Sequence, residues 1–236
     1  MAYYRIAELT VEMEPRYDML KRQVEKYEIP PLSGEPDIRL KMSDEWLAKK
    51  RAESPHLSMD GCEYIWTGVG FSSKLWQFDA LVMHASALAL DGKAYLFSAA
   101  SGVGKTTHTK LWQQLFPDAF IIDDDHPVIR LQDGVLMVHG TPFSGNSEEN
   151  RNVKLPLAAI TFLQRDSDNW IRRADAKEAV GDLMQNISRT RQAEAASVKL
   201  MLMDRIAKDT LLCKMGCTID QKAAETAYQF IKENQR

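Results

Sequence analysis

Cysteine is scarce in this sequence: Cys62, Cys213 and Cys217 are the only three in 236 residues. An odd and small number supplies no disulfide framework and suits a reducing compartment, so a cytoplasmic protein is expected. Cys213 and Cys217 have neither a second pair nor nearby histidines, which argues against zinc and for thiols in the core. Long apolar runs are missing as well. No stretch reaches the roughly 18 residues that a membrane-spanning helix needs, and the opening MAYYRIAELTVEMEPRYD lacks the basic-then-apolar order of a secretory signal. Nor is there an excess of one charge. Thirty Lys and Arg stand against 33 Asp and Glu, a formal charge of -3. No global field draws the chain to nucleic acid or to an anionic membrane, and neither is an expected partner. Repeats and low-complexity tracts are absent.

What is present is a chain that is 44% hydrophobic, enough to bury the core of one large domain or of a domain with an appendage. Two segments are expected: an N-terminal α+β segment, 1–77, and a core, 78–236. In the first, IAELTVEM alternates like a strand from Ile6 to Met13. YDMLKRQVEKYE offers a short amphipathic helix, IPPLSGEPD breaks it, and MSDEWLAKKRAES reads as a surface helix. From Phe78 the character changes. ALVMHASALAL is an apolar run of strand length, and Asp91-Gly92 turns it into KAYLFSA. AFIIDDDH is a buried strand ending in acid. PVIRLQDGVLMVHG is a second hairpin, turned at Asp133-Gly134, and LPLAAITFLQR is a further strand. Helices are expected over DAKEAVGDLMQNIS, QAEAASVKLMLMDRIAK and IDQKAAETAYQFIKEN, the last capped by Thr218 or Asp220, with TLLCKMGC a late strand. The fold class is therefore α/β, with a mixed, partly antiparallel sheet and flanking helices.

Between KAYLFSA and the next helix lies SGVGKTT, Ser101 to Thr107. A phosphate loop needs successive backbone N–H groups turned inward, a lysine, and a helix start beneath. Here Ser101, Gly102, Val103, Gly104, Lys105, Thr106 and Thr107 are the candidate nucleotide-binding residues. Gly102 and Gly104 let the backbone wrap, Lys105 brings a cation to the β- and γ-phosphates, and Thr106 offers a hydroxyl to Mg²⁺. The usual pattern begins with a glycine four residues before the Gly-Lys pair; this chain has Ala99 there. If that position needs a left-handed backbone, alanine costs about 1–2 kcal/mol; if not, the change is nearly free. Eighteen residues after Lys105 comes Asp123, followed by Asp124 and Asp125. Three adjacent carboxylates at the end of an apolar strand repel one another unless a cation is present. The combination points to a site for ATP, or another nucleoside triphosphate, with Mg²⁺.

HASALALDGKAYLFSAASGVGKTTHTKLW followed by IIDDDH resembles the catalytic domain of HPr kinase/phosphorylase-like proteins and of the related phosphoenolpyruvate carboxykinases. HGTPFSG and LPLAAITFLQR are similar to segments of compact members of the kinase group. The resemblance spans about Leu81 to Arg165. It departs at Ala99 and at Met137-Val138-His139-Gly140, where HPr kinases have a glutamate-containing segment. The first 75 residues do not resemble the N-terminal domain of those kinases. The resemblance implies Mg²⁺- and ATP-dependent phosphoryl transfer to a hydroxyl of a small molecule, peptide or protein. It implies Asp123 as the base, Asp124 and Thr106 as metal ligands, and His84, in the strand before the Asp91-Gly92 turn, orienting Asp123. Arg130 and Arg151 are candidates to contact phosphate or an acidic acceptor. His126 and His139 are weaker candidates, and His108 is expected on a helix surface. GNSEENRNVKLP reads equally as a mobile substrate loop or as a solvated connection. Trp66, Trp76 and Trp112 are expected in core or interface, and Met201 and Met203 in the core. A non-catalytic nucleotide sensor is the alternative function, with carboxykinase-like chemistry below it. Homo-oligomerisation is left open.

Overall fold

The computed structural model describes residues 2–188 and 193–235. The chain opens with a hairpin of β1 (Ala2–Ile6) and β2 (Leu9–Met13). The alternating stretch from Ile6 to Met13 is thus not one strand: Ala7 and Glu8, at φ 52° and 61°, turn the chain between two. Neither residue carries the Asn-Gly or Asp-Gly signal of such a turn. Next come α1 (Asp18–Val24), a 3-10 turn over Glu25–Tyr27, β3 (Glu28–Ile29) and β4 (Ile38–Arg39). These strands form a sheet in the order β3-β1-β2-β4. Two helices follow, α2 (Asp44–Glu53) and α3 (Met59–Ser72). Ser43 caps the first by accepting the N–H of Trp46, and Ser58 caps the second by accepting that of Gly61; each cap satisfies a donor the helix start leaves free. The reading of the sequence had no helix at α3, whose three glycines work against helix propensity.

The larger sheet is built from β5 (Ala80–Val82), β6 (Ser86–Leu90), β7 (Lys93–Ser98), then, after α4 (Lys105–Leu115), β8 (Phe120–Asp123), β9 (Val128–Gln132), β10 (Val135–His139), β11 (Lys154–Arg165) and β12 (Trp170–Arg173). After α5 (Ala176–Asn186) and α6 (Ala193–Asp209) it receives β13 (Leu211–Cys217), and α7 (Gln221–Asn234) closes the described chain. The order is β5-β9-β10-β11-β7-β6-β8, with β13 against β11 and β12 against β13. β11 runs parallel to both β7 and β13, and the other pairs in this sheet are antiparallel. It is the mixed α/β sheet with flanking helices that the element pattern indicated.

Alternate residues of the central strands feed two cores. Leu96, Ile160 and Leu212 pack with Leu183 of α5 and with Leu202 and Ile206 of α6. Phe97, Leu163 and Cys213 pack with Trp112 of α4 and with Ala224 and Ile231 of α7. Asp220 caps α7 by accepting the N–H of Ala223, and α5 starts with a full capping box, Asp175 with Glu178. A third cluster joins the small sheet to the large one: Tyr4, Val11, Leu20 and Phe71 pack with Ala80, Val82, Val128 and Phe143. No helix among the described residues is long and apolar enough to cross a membrane.

Candidate nucleotide and phosphoryl-transfer site

The expected strand ALVMHASALAL is two strands. β5 pairs with β9, while β6 pairs with β7 and β8. His84 sits at the break between them, not within a strand. Its backbone N–H donates to the Asn186 carbonyl (2.7 Å), and its carbonyl accepts the hydroxyl of Ser98 (2.8 Å). The ring is thereby held above the end of β7, where the chain enters the glycine loop.

The loop runs from Ser98 to the start of α4. Gly102 and Gly104 have φ of 78° and 128°, a region costly to any residue with a Cβ. Ala99 is not among the residues at positive φ; it is buried in the core beneath the loop. The backbone there never needed glycine, so the missing first glycine costs no strain.

The loop forms one wall of a cleft of about 430 Å³. His84, Lys105, Thr106, Asp124 and Asp125 line it, with Ser144, Gly145, Asn146 and Ser147 opposite. Asp124 is fixed by two hydroxyls. Ser86 donates to its Oδ1 (2.5 Å) and Thr106 to its Oδ2 (2.9 Å). Ser86 is a lone polar residue in an apolar strand, a signal the reading of HASALAL passed over. The carboxylate and hydroxyl of Asp124 and Thr106 are hard oxygen donors at the cleft's lip. They are the donor types that could hold a Mg²⁺, an ion that seldom takes an all-protein cage.

Asp123, the expected base, is fully buried and does not line the cleft. Its Oδ1 accepts the backbone N–H groups of Asp125 (3.0 Å) and His126 (2.8 Å). Its Oδ2 accepts both the N–H (2.8 Å) and the hydroxyl (2.9 Å) of Thr141. Burial raises its carboxyl to about 6 against those hydrogen bonds. With every lone-pair direction occupied, Asp123 ties the end of β8 to the segment after β10 and has no free face for an acceptor.

A second carboxylate, beside Asp124, does line the cleft: Asp125. Its Oδ1 lies 3.2 Å from His84 Nε2 and its Oδ2 3.0 Å from His126 Nδ1. Burial acts to raise its carboxyl, but the hydrogen bonds and charges of His126 and His84 outweigh it and hold the group below the usual carboxylate range. His84 therefore partners Asp125, not Asp123. The same Nε2 lies 3.0 Å from Lys105 Nζ, and burial in this wall lowers the Lys105 ammonium.

The stretch GNSEENRNVKLP resolves into a structured wall. Gly145–Ser147 is a 3-10 turn, and Gly145 (φ 70°) lies so close to Asp125 that a Cβ there would come within 2.8 Å of its carboxylate. α1, the 3-10 turn after it and α3 hold this wall in place. Tyr64 Oη accepts the N–H of Gly145 (3.0 Å). Asn150 donates to Gln23 (2.7 Å) and Ser144 (2.8 Å) and accepts from Tyr27 (2.9 Å). The backbone of 149–151 also covers the free edge of β8: Asp124 N–H donates to Glu149 O, and Arg151 N–H to Ile122 O.

Other candidates lie elsewhere. Arg130 is spent on the carbonyls of Phe78 (3.2 Å) and Ala7 (2.9 Å), bracing one sheet against the other. The Arg151 guanidinium lies over the Phe120 ring and does not line the cleft. His108 is not on a helix surface: it is 2% exposed, against Phe97, and its Nε2 accepts the indole N–H of Trp112. His139 is buried beside Gln132. Met203 is in the core, whereas Met201 is exposed.

No protein-family profile matches this chain, and no curated protein matches it. Among solved structures, the Hpr(Ser) kinase/phosphatase from Coxiella burnetii is similar over 53% of this chain and 93% of its own, with 10% identity and a TM-score of 0.31.

Proposed function

We propose that the protein transfers the γ-phosphoryl group of ATP, with Mg²⁺, to a hydroxyl group. The carrying observation is the convergence, in one cleft, of a glycine loop with Lys105, of Asp124 bonded to Thr106, and of Asp125 beside His84. Phosphoryl transfer asks a protein chiefly to position groups and to neutralise charge. The loop amides and Lys105 take the phosphates. Asp124 and Thr106 hold the metal, which spreads the charge on the β- and γ-phosphates when bound. Asp125, ionised at neutral pH, accepts the proton of the incoming hydroxyl as its oxygen bonds to the γ-phosphorus. The bond from that phosphorus to the β–γ bridging oxygen breaks, and its electron pair leaves with ADP.

His84 and Lys105 then have linked parts. One ring nitrogen cannot both accept from Lys105 and donate to Asp125. When phosphate draws Lys105 away, His84 Nε2–H is free to donate to Asp125 and orient it. Asp125 thus replaces Asp123 as the base, and His84 stays a positioning residue. The test is ADP formation from Mg-ATP, with water and with a panel of alcohols, serine peptides and proteins. Mg²⁺-dependent turnover that Asp125→Asn lowers by about 10²–10⁴ supports the reading. A protein that binds Mg-ATP and transfers its phosphate to nothing in the panel is a nucleotide sensor instead.

A further inference from the structure

Arg165 ends β11, one strand over from the loop strand, and its register partner in β13 is Cys217. Its side chain crosses to the back of the phosphate loop. Nε donates to the Val103 carbonyl (3.3 Å), and Nη2 donates to the Gly102 carbonyl (2.5 Å). Each carbonyl belongs to a rigid peptide plane whose N–H points the opposite way. The plane fixed through the Val103 carbonyl carries the N–H of Gly104, one of the amides that must turn inward to meet phosphate. The plane fixed through the Gly102 carbonyl carries the N–H of Val103, which closes the loop's internal turn by donating to Ala100 O (3.2 Å). Both planes adjoin residues at positive φ, Gly102 and Gly104. Such glycines let a peptide plane rotate as easily as they let it turn. A flexible loop with this composition needs something on its outer side to keep its amides facing in.

We infer that Arg165 is a positioning residue for the phosphate loop: it grips the loop's outward carbonyls and so holds the loop's turn and presets the inward Gly104 amide for a polyphosphate. The inference rests on the nucleotide reading of the cleft and adds to it a residue beyond the loop and the acid cluster. Arg165 touches the loop from outside and does not line the cleft, so its effect is on phosphate affinity as a whole and not on the nucleoside or on the transfer step. The fork geometry matters, because a lysine can reach one carbonyl but not clasp two.

The probes are Mg-ATP and magnesium tripolyphosphate, titrated against wild type, Arg165→Met and Arg165→Lys, with thermal unfolding measured alongside. Arg165 is exposed, so the melting temperature should hold in both variants. Arg165→Met should weaken both probes by the same factor, about three- to tenfold, as expected for charge-assisted hydrogen bonds at a solvated site. Arg165→Lys should recover part of the loss for both. A loss confined to ATP would place Arg165 on the nucleoside and overturn the inference, as would unchanged affinity for both probes. If wild type binds neither probe, the phosphate reading itself fails and the inference falls with it. Binding by wild type with no change in Arg165→Met removes the inference alone.

Discussion

Asp123 and Asp125 are two residues apart and sit in different surroundings, so under the proposed function exchanging each for asparagine should give opposite results. In Asp123→Asn the side chain keeps its shape but replaces one acceptor oxygen with a donor. Four donors converge there: the N–H groups of Asp125, His126 and Thr141, and the Thr141 hydroxyl. The better amide orientation points NH₂ at Thr141, whose hydroxyl can rotate to accept. The Thr141 N–H is then left buried without an acceptor, which costs about 1–3 kcal/mol. For a chain of this length that is a fall in melting temperature of about 5 °C. Turnover of the molecules that remain folded should stay within about threefold, because nothing in the cleft has lost its charge. In Asp125→Asn the lost partners are two histidines at a half-open site, so the melting temperature should move by no more than about 2 °C. Turnover should collapse while ATP affinity holds. The assays are circular-dichroism melts, Mg-ATP titrations and ADP formation, measured well below either melting point. An Asp123→Asn protein that melts like wild type and is inactive would refute the assignment. So would an Asp125→Asn protein that unfolds early but transfers phosphate normally.

Lys105→Ala should weaken Mg-ATP binding by roughly 10- to 100-fold by removing a charge-assisted contact to phosphate; Ala99→Gly should change it by no more than about twofold, since Ala99 is already at a backbone angle any residue adopts. Asp124→Asn and Thr106→Ala should each raise the Mg²⁺ concentration needed for half-maximal turnover, read from a metal titration at saturating ATP; unchanged curves for both would make the Ser86–Asp124–Thr106 network purely structural. His108 carries a pH signature. Burial lowers its imidazole from 6.5 to about 4, so its contribution to stability is complete above about 6.5 and is lost as pH falls toward 4. Urea unfolding at pH 7.5 and pH 5 should show about 2 kcal/mol lost from this group alone, and His108→Gln should remove that part of the slope.

The architecture was legible wherever local chemistry decided it. Asp91-Gly92 and Asp133-Gly134 turn their hairpins because those dipeptides take positive φ cheaply, and the glycines and lysine of 101–107 carry the loop in their own sequence. What was not legible depends on partners far along the chain. Nothing in GNSEENRN says that Gln23, Tyr27 and Tyr64 will hold it, because each of those bonds spans 81 or more residues. The same contacts give the N-terminal helices a mechanical part in the cleft. Gln23 of α1, Tyr27 of the 3-10 turn and Tyr64 of α3 fix the wall that faces Asp125, and residues 149–151, held through Asn150, cover the edge of β8 and so steady Asp124.

The acid triplet shows where a strand pattern stops informing. Within β8 alternate residues face alternate sides, and Asp123 is the last of them; it points inward, into the hydrogen-bond donors of Thr141. Beyond that residue the chain bends, and period-two alternation no longer says which carboxylate turns toward the loop. The orientation is instead set by Asp123 itself. Its Oδ1 takes the N–H groups of both following residues that need partners, Asp125 and His126. That turn carries the Asp125 side chain round to His84 and His126 and leaves Asp124 between Ser86 and Thr106. The three acids are therefore not interchangeable copies. One is a buried clasp whose hydrogen bonds shape the bend, one is tied by two hydroxyls beside the loop, and one is left open to the cleft between two imidazoles. A sequence of three identical residues could not distinguish them, because the difference lies in which donors the rest of the fold brings to each.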